Sequence, residues 1–212
     1  MADLFDDLPP GFEHRPLWSA EEQRAALAAI RGVVEAAPFF VPAMPRTGRP
    51  FSVRMTNCGP LGWVSDREGG YRYQATHPLT GESWPAIPPM VLAVWEAVSG
   101  YPHPPEACLV NCYGPDAKLS LHQDADEAAS DAPVVSLSLG DDCRFRLGGT
   151  ARGGPTRAFR LASGDLVVLG GAARHAFHGV DRIYPGTSTL LRDWLPAGGR
   201  INLTLRRVTL PA

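Results

Sequence analysis

Residues 107–127, "ACLVNCYGPDAKLSLHQDADE", decide how this chain folds. The stretch opens with a strict alternation. Leu109, Asn111 and Tyr113 have one parity, and Cys108, Val110 and Cys112 the other, which is the pattern of a β-strand with two distinct faces. "GPD" (114–116) breaks it. "LSLH" (119–122) resumes it and ends in His122, one residue short of Asp124 and close to Asp126 and Glu127.

Residues i and i+2 of an extended segment point to the same side. His122 and Asp124 therefore present an imidazole and a carboxylate together. Two ligands are too few for a stable metal site, and "RHAFHGV" (174–180) offers His175 or His178 as a third. Two histidines and one carboxylate leave open positions on an ion, the ligand set of non-haem Fe(II) oxygenases. A surface turn with structural histidines is the plainer alternative.

The alternation continues downstream in "APVVSLSLG", "CRFRLGG", "TRAFRLASGDLVVLGG" and "RINLTLRRV", each broken by Gly, Asp or Pro. Strands recurring at this interval predict a sandwich or jelly roll. The last of them puts Arg200, Asn202, Thr204 and Arg206 on one face and Ile201, Leu203 and Leu205 on the other. Two arginines on an inward face are costly without an anion, and the guanidinium fork suits a carboxylate. Asn111 and Tyr113 would offer an amide and a phenol to the same anion. An ordinary outward polar face, with Tyr113 buried on an edge strand, is the competing reading.

Upstream, Ser19 and Glu22 form a capping box before "AEEQRAALAAIRGVVEAA", a helix that Pro38 ends. "PPMVLAVWEAVSGYP" predicts a second helix, started by Pro88 or Pro89 and stopped by Gly100. Residues 1–18 read as an extension, and 45–87 as long loops with short strands, in which "RPFSVRMTNCG" alternates like a strand. Long irregular segments in a compact domain tend to be functional.

The chain has 212 residues, enough for one domain, with a formal net charge of −2, which counts against tight nonspecific duplex binding. Of its 20 basic residues only Lys118 is not arginine. No apolar run is long enough for a membrane span, and "MADLFDDLPP" lacks the pattern of a secretory signal. The four cysteines form no C-x-x-C pair and read as reduced thiols. A cytoplasmic monomer with no membrane partner is expected.

Taken together, "MTNCGPLGW", "WPAIP", the 107–127 stretch, "VVSLSLG", "GDLVVLGG", "FHGV" and "RINLTLR" resemble the AlkB-type iron and 2-oxoglutarate-dependent dioxygenases that repair alkylated nucleic acid. The resemblance runs from about residue 18 to 207. It implies a mainly β, α+β fold: a double-stranded β-helix (jelly roll) core at 107–208, N-terminal helices packed on one sheet, and a nucleotide-recognition lid at 45–87. It also implies one dioxygenase domain over 1–212.

The resemblance selects His178 over His175, so that Fe(II) is held by His122, Asp124 and His178. It implies 2-oxoglutarate on Arg200, with Arg206, Asn111, Tyr113 and Asn202 in contact and Leu109 packed beside it. Dioxygen is the other cosubstrate. An N-methyl group is hydroxylated and lost as formaldehyde, with succinate and CO2 released. A methylated base must leave the stack to be reached. Trp63 would stack on it opposite His122, Asp126 would meet its edge, and Tyr71, Met55 and Thr56 would touch nucleotide or phosphate. Lys118, Arg67 and Arg72 would add phosphate contacts. "DREGGYRY" (66–73) is one residue longer than the family's lid segment, which bears on Tyr71 more than on Trp63.

The expected substrate is single-stranded DNA carrying 1-methyladenine or 3-methylcytosine, with RNA and duplex DNA as further candidates. Two alternatives are a hydroxylase of a protein or small molecule on the same scaffold, and a non-catalytic binding module. The stacking aromatic at Trp63 speaks against the first, and the intact ligand set with both arginines against the second.

Overall fold

The computed structural model of the chain describes residues 8–211. Six strands make the large sheet, in the order β1 (Phe12–Pro16), β10 (Asp165–Leu169), β7 (Val134–Gly140), β12 (Arg200–Arg206), β5 (Ala107–Tyr113) and β2 (Val53–Cys58). Four make the small sheet, in the order β6 (Leu119–His122), β11 (His178–Tyr184), β8 (Asp142–Gly148) and β9 (Thr156–Leu161). A separate hairpin pairs β3 (Gly62–Asp66) with β4 (Gly70–Gln74). This is the jelly-roll arrangement the alternation predicts.

The two parities of the large sheet serve two cores. Cys108, Val110, Cys112, Val135, Leu137, Ile201, Leu203 and Leu205 pack against Leu27, Ile30 and Val33 of α1 (Ala20–Ala36) and against Val91, Val94 and Trp95 of α2 (Pro89–Val98). The opposite face joins Phe145, Leu147, Leu161 and Val180 of the small sheet. α1 forms where its cap dictates: Ser19 Oγ accepts from the Glu22 amide and Glu22 returns the bond to the Ser19 amide.

Within the expected extension, residues 12–16 form the edge strand β1, in register with β10 and held by His14 to Asp165 at 2.8 Å. The rest of that extension, residues 1–7, lies outside the described residues. The strand expected in "RPFSVRMTNCG" is β2, which pairs with β5 along six residues. The large sheet thus recruits strands outside 107–208, and within 45–87 the β3–β4 hairpin forms a sheet of its own. All four cysteines are buried and free. Among the described residues no helix is long and apolar enough to cross a membrane.

Candidate metal and anion site

β6 and β11 run antiparallel with His122 directly opposite His178. Their close approach depends on Gly179, where a Cβ would sit 2.5 Å from the Leu119 carbonyl oxygen. The two rings lie 4.6 Å apart between centroids. Each Nδ1 faces a backbone carbonyl, Ser120 at 2.9 Å and Ala176 at 3.0 Å. A carbonyl only accepts, so Nδ1 carries the proton and Nε2 is left as the free lone pair. Both Nε2 atoms point at Asp124, 3.6 Å from its two oxygens. Candidate ligand atoms of all three residues lie within 4.8 Å of one another. His175 stands outside this group; its carbonyl accepts from Gln123 at 2.6 Å.

The protonation states favour ligation. Burial lowers the His178 pKa to about 4, against the opposing pull of Asp124, so the imidazole is neutral. Burial would raise the Asp124 carboxyl, but Arg206, His178, His122 and Arg174 outweigh it and hold the group below the usual range. A neutral imidazole at His178 and a carboxylate at Asp124 are forms in which a divalent ion can be bound.

On β12, Arg200, Asn202, Thr204 and Arg206 share the inward face, opposite Tyr113, Asn111, Leu109 and Ala107 of β5. Arg200 is 1 % exposed. Its Nη2 donates to Ser138 Oγ, and its Nε and Nη1 have no partner. Asn202 donates to Ser136 and to the Leu137 carbonyl, and receives the Asn111 amide at 3.2 Å. Tyr113 is fully enclosed; burial raises its pKa, while Arg200 lowers it and Asp124 raises it, so the phenol lies within the field of both groups. Buried donors without acceptors cost free energy, and a small carboxylate would satisfy them.

Arg206 is engaged differently. It binds Asp124 at 2.7 Å and Glu127 at 2.8 Å, and donates to the Tyr73 hydroxyl at 3.0 Å. Tyr73 in turn donates to Glu127. Arg174, 2 % exposed, closes the assembly by donating to the carbonyls of Ala132 and Asp124 and to Glu127 at 3.0 Å. Glu127 is therefore no solvated turn residue: it is buried between two arginines. Burial pushes its carboxyl up, and Arg206, Tyr73 and Arg174 more than offset that.

The hairpin places Trp63 at the site through Asn57, whose buried side chain binds both the amide and the carbonyl of Trp63. Trp63 Nε1 donates to Asp126 at 2.8 Å, and the indole is stacked on Tyr71 at 5.6 Å. Tyr71 is 49 % exposed. Met55 lies on the inward parity of β2 opposite Asn111. Thr56 departs from expectation: it is fully buried with its hydroxyl donated to the Ala37 carbonyl, so the side chain braces β2 and offers nothing to a nucleotide. Lys118 is exposed beside β6, and Arg67 is exposed in the hairpin turn. Arg72 is tied to Asp66 at 2.7 Å. Sequence reasoning missed Ser136, Ser138, Asn57, Tyr73 and Arg174. Only the serines left a signal, two hydroxyls on the inward parity of "VVSLSLG".

Comparison with known proteins agrees with this geometry. A family model for the 2OG-Fe(II) oxygenase superfamily matches residues 12–206. An alpha-ketoglutarate-dependent dioxygenase AlkB homolog of Caulobacter vibrioides is 52 % identical over 201 residues, covering 93 % of this chain and 88 % of the relative. A tRNA demethylase, abh1, of Schizosaccharomyces pombe is 42 % identical over 110 residues, covering 49 % of this chain and 36 % of the relative. The solved structure of OsALKBH1 superposes with a TM-score of 0.75 at 31 % identity, covering 94 % of this chain and 99 % of that one.

Proposed function

The chain belongs to the 2OG-Fe(II) oxygenase superfamily, and on that premise we propose how its residues divide the work of an AlkB-type nucleic acid dealkylase. His122, Asp124 and His178 would hold Fe(II). Arg200 would hold the distal carboxylate of 2-oxoglutarate, with Asn111, Tyr113, Asn202 and Arg206 around the rest of the molecule and Leu109 against its carbon chain. With both bound, dioxygen is consumed, 2-oxoglutarate leaves as succinate and CO2, and an N-methyl group is hydroxylated and released as formaldehyde.

The observation that carries this reading is the pairing of two incomplete groups. One is a triad whose free imidazole lone pairs converge on one carboxylate. The other is a buried arginine with two N–H groups unpartnered. The first suits a cation and the second an anion, and Tyr113 lies within the influence of both.

The protein's own residues do the remaining tasks. Ser120 and Ala176 fix the histidine tautomers through their carbonyls, a backbone form of the outer-shell support that metal sites need. Arg206 holds Asp124 in its anionic form. Trp63 and Tyr71 supply an aromatic wall on which a flipped base can stack, worth about 1–3 kcal/mol. Asp126, held by the Trp63 indole, sets a negative charge beside that wall, which favours a cationic lesion such as 1-methyladenine or 3-methylcytosine. Lys118 and Arg67, both exposed, would meet phosphates.

A tRNA demethylase among the relatives supports a nucleic acid substrate. Single-stranded DNA is the preferred form in this reading, supported by the net charge of −2. The protein would act as a cytoplasmic monomer.

The test is mass spectrometry of a single-stranded oligonucleotide with one 1-methyladenine, incubated with protein, Fe(II), 2-oxoglutarate, ascorbate and air. Loss of one methylene mass, absent with Asp124→Ala and without 2-oxoglutarate, is the expected result. Succinate formation with no change to the oligonucleotide would remove nucleic acid as the substrate.

A further inference from the structure

The small sheet turns a cationic face to solvent. Arg182, Arg144 and Arg160 stand directly opposite one another on the neighbouring strands β11, β8 and β9. Phe145 and Phe159, on the other parity, face the interior core, so the arginines project outward. The side chains of Arg144 and Arg160 are 51 % and 63 % exposed.

Like charges placed across adjacent strands repel and destabilise the pairing. Two carboxylates answer them here: Asp181 pairs with Arg144 at 3.0 Å and Arg146 at 3.5 Å, and Asp142 with Arg160 at 2.7 Å. The balance stays positive, because Arg144, Arg146, Arg160 and Arg182 outnumber Asp142 and Asp181 there, in a chain of net charge −2.

The face also carries an aromatic. The Tyr184 ring lies between Arg160 and Arg182, whose guanidinium carbons are 5.0 Å and 5.4 Å from its centroid. Alternating cations and an aromatic surface are what a single nucleic acid strand needs, charge for its phosphates and a ring for a base.

The row lies on the same sheet as the metal ligands His122 and His178, with further arginines near the ligand-bearing end. Arg146 and Arg152 line a 240 Å³ cavity with Leu121 and Phe177, the residues that precede His122 and His178. The loop bearing Arg152 is tied to the ligand segment by Gln123, which donates to the Thr150 carbonyl at 3.1 Å. Arg182 lies four positions along β11 from His178, on the order of 13 Å.

We propose that the outer face of β11, β8 and β9 is a second binding surface for the phosphate backbone of the nucleic acid, engaged several nucleotides away from the base at the triad. It rests on the dealkylase reading for the identity of the polyanion. A short oligonucleotide that fills the metal site does not reach the row; a long one does.

The test compares native protein with the triple variant Arg144→Gln, Arg160→Gln, Arg182→Gln on single strands of about 5 and about 25 nucleotides, each with a central 1-methyladenine. None of the three residues touches the triad or the anion site. Native protein should show a lower KM on the long strand than on the short one. The variant should keep its kcat and its short-strand KM, while its long-strand KM rises roughly tenfold and its salt slope falls by about 2, at ~0.7 for each phosphate no longer neutralised. Equal native KM on the two lengths, or an unchanged long-strand KM and salt slope in the variant, overturns the proposal.

Fluorescence anisotropy with an unmodified long strand makes the same comparison without turnover. Failure to demethylate the short strand therefore sinks the dealkylase reading alone, while anisotropy still decides the surface. Should the triple variant not fold by circular dichroism, Arg182→Gln alone carries the comparison.

Discussion

The two faces of β12 are built from one alternating heptapeptide and obey opposite rules. Ile201, Leu203 and Leu205 are fully buried beneath the helices, among apolar neighbours on every side. Arg200, Asn202, Thr204 and Arg206 are equally hidden or nearly so, yet face serines, an asparagine, a phenol and two carboxylates. The first face stabilises the domain through burial. The second withdraws charge from water and leaves Arg200 partly unpaired. Stability and function are thus separated by the thickness of a single sheet, which lets each be altered without the other.

That separation can be broken from either side. Leu203→Ala should cost about 3–5 kcal/mol of unfolding free energy, since the residue is fully buried in the core beneath the helices. Denaturant unfolding measures the loss, and turnover per folded molecule should be unchanged. Arg200→Met should do the reverse. The KM for 2-oxoglutarate should rise at least about thirtyfold, corresponding to ~2 kcal/mol or more, while the melting temperature holds or rises. A fall in melting temperature without a change in KM would show that Arg200 is a structural residue. Trp63→Ala lies outside the strand and should weaken oligonucleotide binding by about 1–3 kcal/mol, leaving 2-oxoglutarate affinity alone. The smallest effect expected is that of Ser138→Ala, which removes a side-chain acceptor that orients Arg200. It should lower 2-oxoglutarate affinity by about 1 kcal/mol, visible by calorimetry.

The legibility of the sequence followed the range of the interactions. The faces of β5 and β12 could be read because period-2 alternation is local and neither strand contains a break. His122 and Asp124 could be read because two positions of one extended segment share a side. The third ligand could not be read by that logic: His178 is distinguished from His175 by its register opposite His122, a pairing between distant stretches of sequence that came only through the family resemblance. The clamp of Tyr73, Glu127, Arg174 and Arg206 was illegible for the same reason, since Tyr73 and Arg206 are 133 residues apart. β1 was missed on other grounds. "FEHRP" is short, charged and closed by a proline, and it forms a strand because the β10 edge offers it a full row of backbone partners.

The register of β6 against β11 has one more effect. β6 is four residues long, and its pairing with β11 already shifts between His178 and Val180. A slip of one residue in so short a strand would send His122 to the outer surface. An ion shared by both strands would be bound only when they are aligned, and would then act as a pin that inspects the alignment as it locks it. Metal loading would thus be a late proofreading step in folding, readable as hydrogen-exchange protection that appears at Leu119–His122 when the ion is added.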